Sequence, residues 1–153
     1  MEPIEPTLEP LFAMTLTVAP PTDVGRTPVG HRRVVPVTGG RIDGPRLKAT
    51  VLPGEDWIVE RADGAFEIDV RMPIKSDDGA MILMRYTGLR HGPPEVLARL
   101  GRGEPVDPKD YFLRILLRFE TAAPPYDWLN RVLAVGSGAR SAASVLYRVW
   151  AIG

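Results

Sequence analysis

Turn-forming residues return about every ten positions along this chain, and short strand-like runs lie between them. Pro20-Pro21-Thr22-Asp23, Asp43-Gly44-Pro45, Ala62-Asp63-Gly64-Ala65 and Ser76-Asp77-Asp78-Gly79 punctuate the first half. The Asp-Gly pairs supply the positive φ angles that a two-residue hairpin turn needs. Between turns the pattern alternates. Phe66, Ile68, Val70 and Met72 share one face of a strand, and Glu67, Asp69 and Arg71 share the other, because successive strand side chains point to opposite faces. Leu47, Ala49 and Val51 likewise alternate with Lys48 and Thr50. Met81, Leu83, Arg85 and Thr87 alternate with Ile82, Met84 and Tyr86, and both faces are mostly apolar, as in a strand covered on both sides. Further strands are expected at Leu11–Val18, His31–Val37, Trp57–Arg61, Tyr111–Thr121, Leu133–Val135 and Val145–Ile152. Pro36 marks an edge or a bulge. Gly39-Gly40 reads as a turn or bulge, Gly136–Ala139 as a bend and Tyr126–Asn130 as a tight turn or single helical turn. Pro94–Leu100 is the one persuasive helix, with its proline at the start and Gly101 just past the end. The expected fold is all-β, a single antiparallel β-barrel of about eight to ten strands with one short helix. A barrel is favoured over a sandwich because closure leaves no exposed edge.

Composition bounds the rest. The 15 glycines and 16 prolines, well above the usual share of ~12%, fit many tight turns, and the apolar runs between them exclude low complexity. Residues 1–10 are expected to form a loose arm, acidic and proline-rich from Met1 to Pro6, and residues 11–153 a single barrel domain. There are no cysteines, which excludes disulfides, thiolate metal sites and cysteine nucleophiles. Lys+Arg 19 balances Asp+Glu 19, so the basic excess of a nucleic-acid binder is missing. No apolar run approaches the ~20 residues that span a bilayer. The N-terminus resembles neither a secretory signal nor a transit peptide. A cytoplasmic protein with no nucleic-acid or membrane partner is expected. Pro36 and the two-sided apolar strand Ala80–Tyr86 point to covered surfaces, hence to a homodimer or other small homo-oligomer.

Motif searches leave little chemistry to choose from. A phosphate-binding loop, a nucleophile-elbow serine and a dinucleotide fingerprint are all absent, so no cofactor is expected. The two histidines, His31 and His91, read as surface residues, and Asp77-Asp78-Gly79 reads as a turn too short for a calcium loop, so no metal is expected. What remains is a set of charges and aromatics on strands. Asp69 and Arg71 share one strand face, as do Arg114, Arg118 and Glu120. Two orientations fit. Facing inward, these residues form a charged cluster whose pKa values shift readily, which suits acid–base work. Facing outward, they are cross-strand pairs worth little. Asp56-Trp57 and Trp128 sit at strand or turn ends, where a barrel mouth would lie.

Taken in order, Gly39-Gly40, Gly44-Pro45, Gly54-x-Asp56-Trp57, Asp63-Gly64, Asp78-Gly79-Ala80, Tyr86-x-Gly88, Tyr111-Phe112, Phe119-Glu120-Thr121 and Trp128-Leu129-Asn130 resemble the bacterial and fungal domain of unknown function 3237. The resemblance runs from about Leu11 to Ile152 and rests on the order and spacing of these short motifs. It implies a single β-barrel similar in shape to the allene oxide cyclase and dirigent barrels, with some relatives linked to ring-closing or isomerising steps. One departure is visible: Glu55 stands where the family pattern has glycine, adding a charge beside the expected mouth.

The function expected is that of a small-molecule-binding barrel working as a cofactor-independent lyase, isomerase or cyclase. Its substrate is small, largely apolar and bears hydroxyl or carbonyl groups. Glu120 or Asp69 is the expected acid or base, and Arg71 or Arg114 the group that stabilises negative charge on oxygen. Asp56, Trp57, Tyr86 and Trp128 are expected to line the pocket and Asn130 to orient a substrate oxygen. The alternative is a non-catalytic carrier or an oligomeric scaffold barrel.

Overall fold

Eleven strands make up the computed structural model, which describes residues 1–153: β1 (Leu8–Val18), β2 (Thr22–Thr27), β3 (Gly30–Asp43), β4 (Lys48–Val51), β5 (Gly54–Asp56), β6 (Val59–Glu60), β7 (Phe66–Ser76), β8 (Met81–His91), β9 (Phe112–Glu120), β10 (Ala134–Arg140) and β11 (Ser144–Ile152). All pairings are antiparallel, and the order runs β1-β11-β10-β9-β8-β7-β4-β3, with β2 folded against the start of β3. The short β5 and β6 lie beyond β4 in the same slot between β3 and β7. Pairing of β1 with β3, from Ala13 opposite Asp43 to Val18 opposite Val37, closes an eight-strand barrel.

Alternation decides what the barrel encloses. On β7 the expected apolar set Ile68, Val70 and Met72 is buried, and Glu67, Asp69 and Arg71 are exposed. The inner faces of β1, β3, β8, β9 and β11 supply Met14, Leu16, Ile42, Ile82, Met84, Leu113, Ile115, Leu117 and Val149 to one continuous core. Burying such a side chain contributes roughly 1.5–3 kcal/mol. On the outside, Met81 and Leu83 are 49% and 55% exposed, so β8 is covered on one face only in the single chain. The helix α1 (Pro94–Gly101) sits where the sequence places it and buries Val96 and Leu100, four apart on one face. It is far too short to cross a membrane, and no other helix is long and apolar enough. Two 3-10 segments, Pro108–Asp110 and Pro124–Arg131, complete the fold.

Beyond the unexpected strands β2 and β5, the shorter β6 and the longer β8, three differences from the sequence expectation shape the barrel. β1 begins at Leu8, and Thr7 exchanges backbone hydrogen bonds with Gly153, so the free arm is shorter than residues 1–10. Gly39-Gly40 does not end its strand. The register slips there against Thr17 and Val18, and β3 continues to Asp43 through a bulge. Gly136–Ala139 is not a bend but the middle of β10. Its glycines are spaces for neighbouring side chains: a Cβ on Gly136 would come within 2.7 Å of Ile115, and one on Gly138 within 2.6 Å of both Leu113 and the Tyr147 ring.

Ile115 is therefore wedged against Gly136, and also against Gly88, where a Cβ would lie 2.7 Å from it. Gly136→Ala is expected to destabilise the barrel by about 1–3 kcal/mol through overpacking. In the Ile115→Ala background the same change should cost less, because the removed Cγ1 and Cδ1 leave room for the new Cβ. Urea denaturation of the double-mutant cycle measures the coupling, and additive losses would show that the two sites do not compete for space.

Candidate functional site in the barrel interior

Two inward rows place polar groups among the apolar walls. In one, Asp56 on β5 is opposite Val70, Val70 is opposite Tyr86 on β8, and Tyr86 is opposite Leu117 on β9. In the other, Phe66 is opposite Arg90, Arg90 is opposite Leu113, and Tyr147 on β11 stands opposite Gly138. The missing side chain of Gly138 is what admits the Tyr147 ring. The rows meet around a cavity of about 60 Å³ lined by Asp56, Tyr86, Arg90, Arg140 and Tyr147 and by aliphatic walls that include Val18, Val35 and Val145. That space holds only a few water-sized groups.

Each polar group is positioned by the backbone around it. Gly54 lets β5 approach β7 so closely that a Cβ there would lie 2.4 Å from the Arg71 carbonyl and the Met72 side chain, and this brings Asp56 inward. Asp56 Oδ1 accepts a hydrogen bond from the Asp69 amide at 3.1 Å. Tyr86 and Tyr147 meet edge to face, with ring centroids 5.8 Å apart. The Arg90 guanidinium lies over the Phe66 ring at 4.4 Å, is 8% exposed and leaves its Nε without a partner. Tyr111 holds Arg140 by its main chain, its hydroxyl accepting from the Arg140 amide at 2.9 Å.

Burial dominates the electrostatics. It pushes the Asp56 carboxyl up to about 7, opposed by the Asp69 amide and by the charges of Arg90 and Arg140. Burial, and then the like charge of Arg140, draws the Arg90 guanidinium down to about 10. Arg140 is lowered by the same desolvation. Burial raises Tyr86 and Tyr147 well above the usual phenol value, so both stay neutral hydroxyls. The interior thus holds one carboxyl titrating near neutrality, two phenols and two guanidiniums, a set able to pass a proton and to receive negative charge on oxygen.

The site residues expected from sequence fall on both sides of the wall. Asp56 and Tyr86 face the cavity. Asp69, Arg71, Arg114 and Glu120 are all exposed on the outer face, which corrects the inward orientation: their strands devote the other parity to the core. Arg114 lies over the ring of its neighbour Phe112, 5.1 Å away. Trp57 is 54% exposed and donates from its indole to Glu55 at 2.9 Å, so the charge added by Glu55 also lies outside. Trp128 is capped by the Arg46 guanidinium at 3.7 Å. Asn130 clamps Thr121 through two backbone hydrogen bonds of 2.8 and 2.9 Å, a loop brace outside the cavity. Arg90, Arg140 and Tyr147 were not anticipated. Two of them were legible: Arg90 continues the Ile82, Met84, Tyr86 phase past Gly88, and Tyr147 continues inward alternation with Val149. Arg140 follows the glycines of β10, which carry no hydrophobic signal. No three His, Cys, Asp or Glu side chains converge as a metal site.

A closed antiparallel barrel with a small, mainly aliphatic pocket that carries a few polar groups defines the class. The chain belongs to the family described as protein of unknown function DUF3237, which it matches over residues 6–152. It is 40% identical over 147 residues to a UPF0311 protein of Rhodopseudomonas palustris, covering 94% of this chain and 96% of that one. The crystal structure of a beta-barrel like protein from Acinetobacter baumannii superposes with a TM-score of 0.87 at 39% identity, over 99% of each chain. More distantly, the hydroalkoxylation enzyme phnH of Penicillium herquei is 27% identical over 135 residues, 88% of this chain and 76% of that one.

The raised Asp56 pKa has a thermodynamic signature. The unfolded carboxyl ionises near its ordinary value of 3.8, the folded one near 7, so the folded state holds the extra proton in between. By linkage, stability is lost as pH rises through that window. Relative to Asp56→Asn, the wild type should lose stability progressively from about pH 4 to pH 7, by roughly 4 kcal/mol at 1.36 kcal/mol per unit, and then level off. Parallel denaturation curves of the two proteins measure the gap, and a gap independent of pH would show that Asp56 ionises normally.

Proposed function

We propose that this barrel is a cofactor-independent acid–base catalyst of the lyase, isomerase or cyclase type, with Asp56 as the proton-transfer group. The observation that carries the reading is a carboxyl held near neutrality in a small, mainly apolar pocket that it shares with two guanidiniums. A group whose pKa lies near the working pH is available as base and as acid in the same cycle. The hydroalkoxylation activity named for the fungal relative fits this set of groups, and we extend that reaction class to this chain.

In such a reaction a hydroxyl of the substrate gives its proton to the Asp56 carboxylate as its oxygen adds to a conjugated alkene. One C–O bond forms and the alkene π bond breaks. The electron pair moves to the conjugated carbonyl oxygen, where Arg90 and Arg140 stabilise it, an effect worth as much as or more than proton transfer itself. Asp56 then returns the proton to carbon. The product is an isomer of the substrate, so nothing else is consumed. Tyr86 and Tyr147, neutral at all working pH values, orient oxygens without competing for the proton. The carrier and scaffold alternatives ask for an interior without an ionisable group, or without space.

A panel of hydroxyl-bearing conjugated alkenes incubated in D₂O provides the test. Turnover should yield a cyclic ether carrying one carbon-bound deuterium, detected by NMR and mass spectrometry. Asp56→Asn is expected to lose 10²–10⁴-fold in rate. Asp69→Asn and Glu120→Gln, on the outer face, should turn over as the wild type does. Unchanged turnover in Asp56→Asn would overturn the assignment.

A further inference from the structure

The ion pairs of this protein are distributed unevenly. Nine join charged groups of the chain, and none includes a cavity residue. Asp23 pairs with His31, Arg41 is bidentate on Asp77, and Arg61 bridges Asp63 and Glu67. Inside the barrel, Arg90 is nine-tenths buried and its Nε has no partner, and the side chain of Arg140 makes neither hydrogen bond nor ion pair. Asp56 stands within their field but forms an ion pair with neither. The Phe66 face offers Arg90 only part of what water would supply. An unpaired buried cation is costly, and proteins retain one when something else brings the counter-charge.

We infer that the ligand of this site, and under the catalytic reading its substrate, is an organic carboxylate, its charged head held between Arg90 and Arg140 and its apolar remainder lying against Val18, Val35 and Val145 at the mouth. This rests on the catalytic reading above and specifies it: the oxygen that receives charge there belongs to an acid already ionised on arrival. Three observations narrow the class. A neutral ligand would leave at least one guanidinium uncompensated, since Asp56 brings no more than one negative charge into their field. The guanidinium fork matches a planar carboxylate edge. The cavity, about 60 Å³ against the ~300 Å³ of a pocket that swallows a drug-sized molecule, admits a head group of that size and leaves the body at the half-buried valine rim. Inorganic phosphate fits worse, since a doubly charged head must be desolvated among mainly aliphatic walls.

The experiment compares benzoate and hexanoate with benzamide, hexanamide and inorganic phosphate, by calorimetry and thermal denaturation of the whole chain. The acids are expected to bind at least ten times more tightly than their amides. At ~100-fold excess over Kd they should raise Tm by about 5–10 °C. Arg140→Gln, at the rim, should lose at least tenfold in acid affinity. Arg90→Met should abolish the acid preference without lowering the Tm of the free protein, because it removes a buried charge that has neither a hydrogen-bond nor an ion-pair partner and keeps an apolar side chain against the Phe66 ring. Asp56→Asn should still bind the acids, so this inference and the catalytic one fail separately: acid binding without turnover of any substrate leaves this inference standing and removes the catalytic reading. Equal binding of acid and amide, an unchanged preference in both arginine variants, tighter binding of phosphate, or no binding of either acid at about 10 mM would each overturn it.

Discussion

The ladder between β1 and β3 is the constraint on which everything else depends. Without it the chain is a twisted meander with two faces and two edges. With it, every strand residue is assigned to an inside or an outside, and the assignment cannot slip by one residue without inverting the whole strand. The bulge at Thr38, next to Gly39-Gly40, lets a single long strand meet β1 at one end and β5 and β6 at the other, so closure and the inward placement of Asp56 come from one bend.

Much of that architecture can be read from the chain. The turns at Asp63-Gly64 and Asp78-Gly79, the alternation of β7 and the helix start at Pro94 all stand where the sequence puts them, while Gly101 proves to be the last helical residue and Arg102 the cap. The limits were set by glycine. Gly136 and Gly138 look like a break because their function is to be empty: the volume they omit belongs to Ile115, Leu113 and Tyr147, residues far away in sequence. The site was half legible for a related reason. The apolar set Phe66, Ile68, Val70 and Met72 already implies that Asp69 and Arg71 face out, and the phase of β8 carries on from Tyr86 to Arg90. A charged residue at an inward position interrupts the hydrophobic periodicity that marks the rest of its face. Arg140, preceded by glycine and alanine, has no periodicity to follow.

The two sides of the wall obey different electrostatics. Outside, opposite charges meet in water, where each pair contributes little and none decides the fold. Inside, charges stand apart in a medium that magnifies them, and the barrel carries their desolvation as a standing cost against its stability. A neutral, well-filled interior of the same shape would be the more stable protein. Retaining Arg90, Arg140 and Asp56 is the kind of departure from optimal packing that marks a working site.

The hold that Tyr111 keeps on Arg140 has a kinetic consequence. The phenol fixes the shoulder of this residue through its amide and leaves the guanidinium with no tether at all. The arm can therefore swing at the rim while the ladder behind it stays intact. What moves at the opening is then one side chain changing rotamer, and no hydrogen-bonded pair of strands has to part for it.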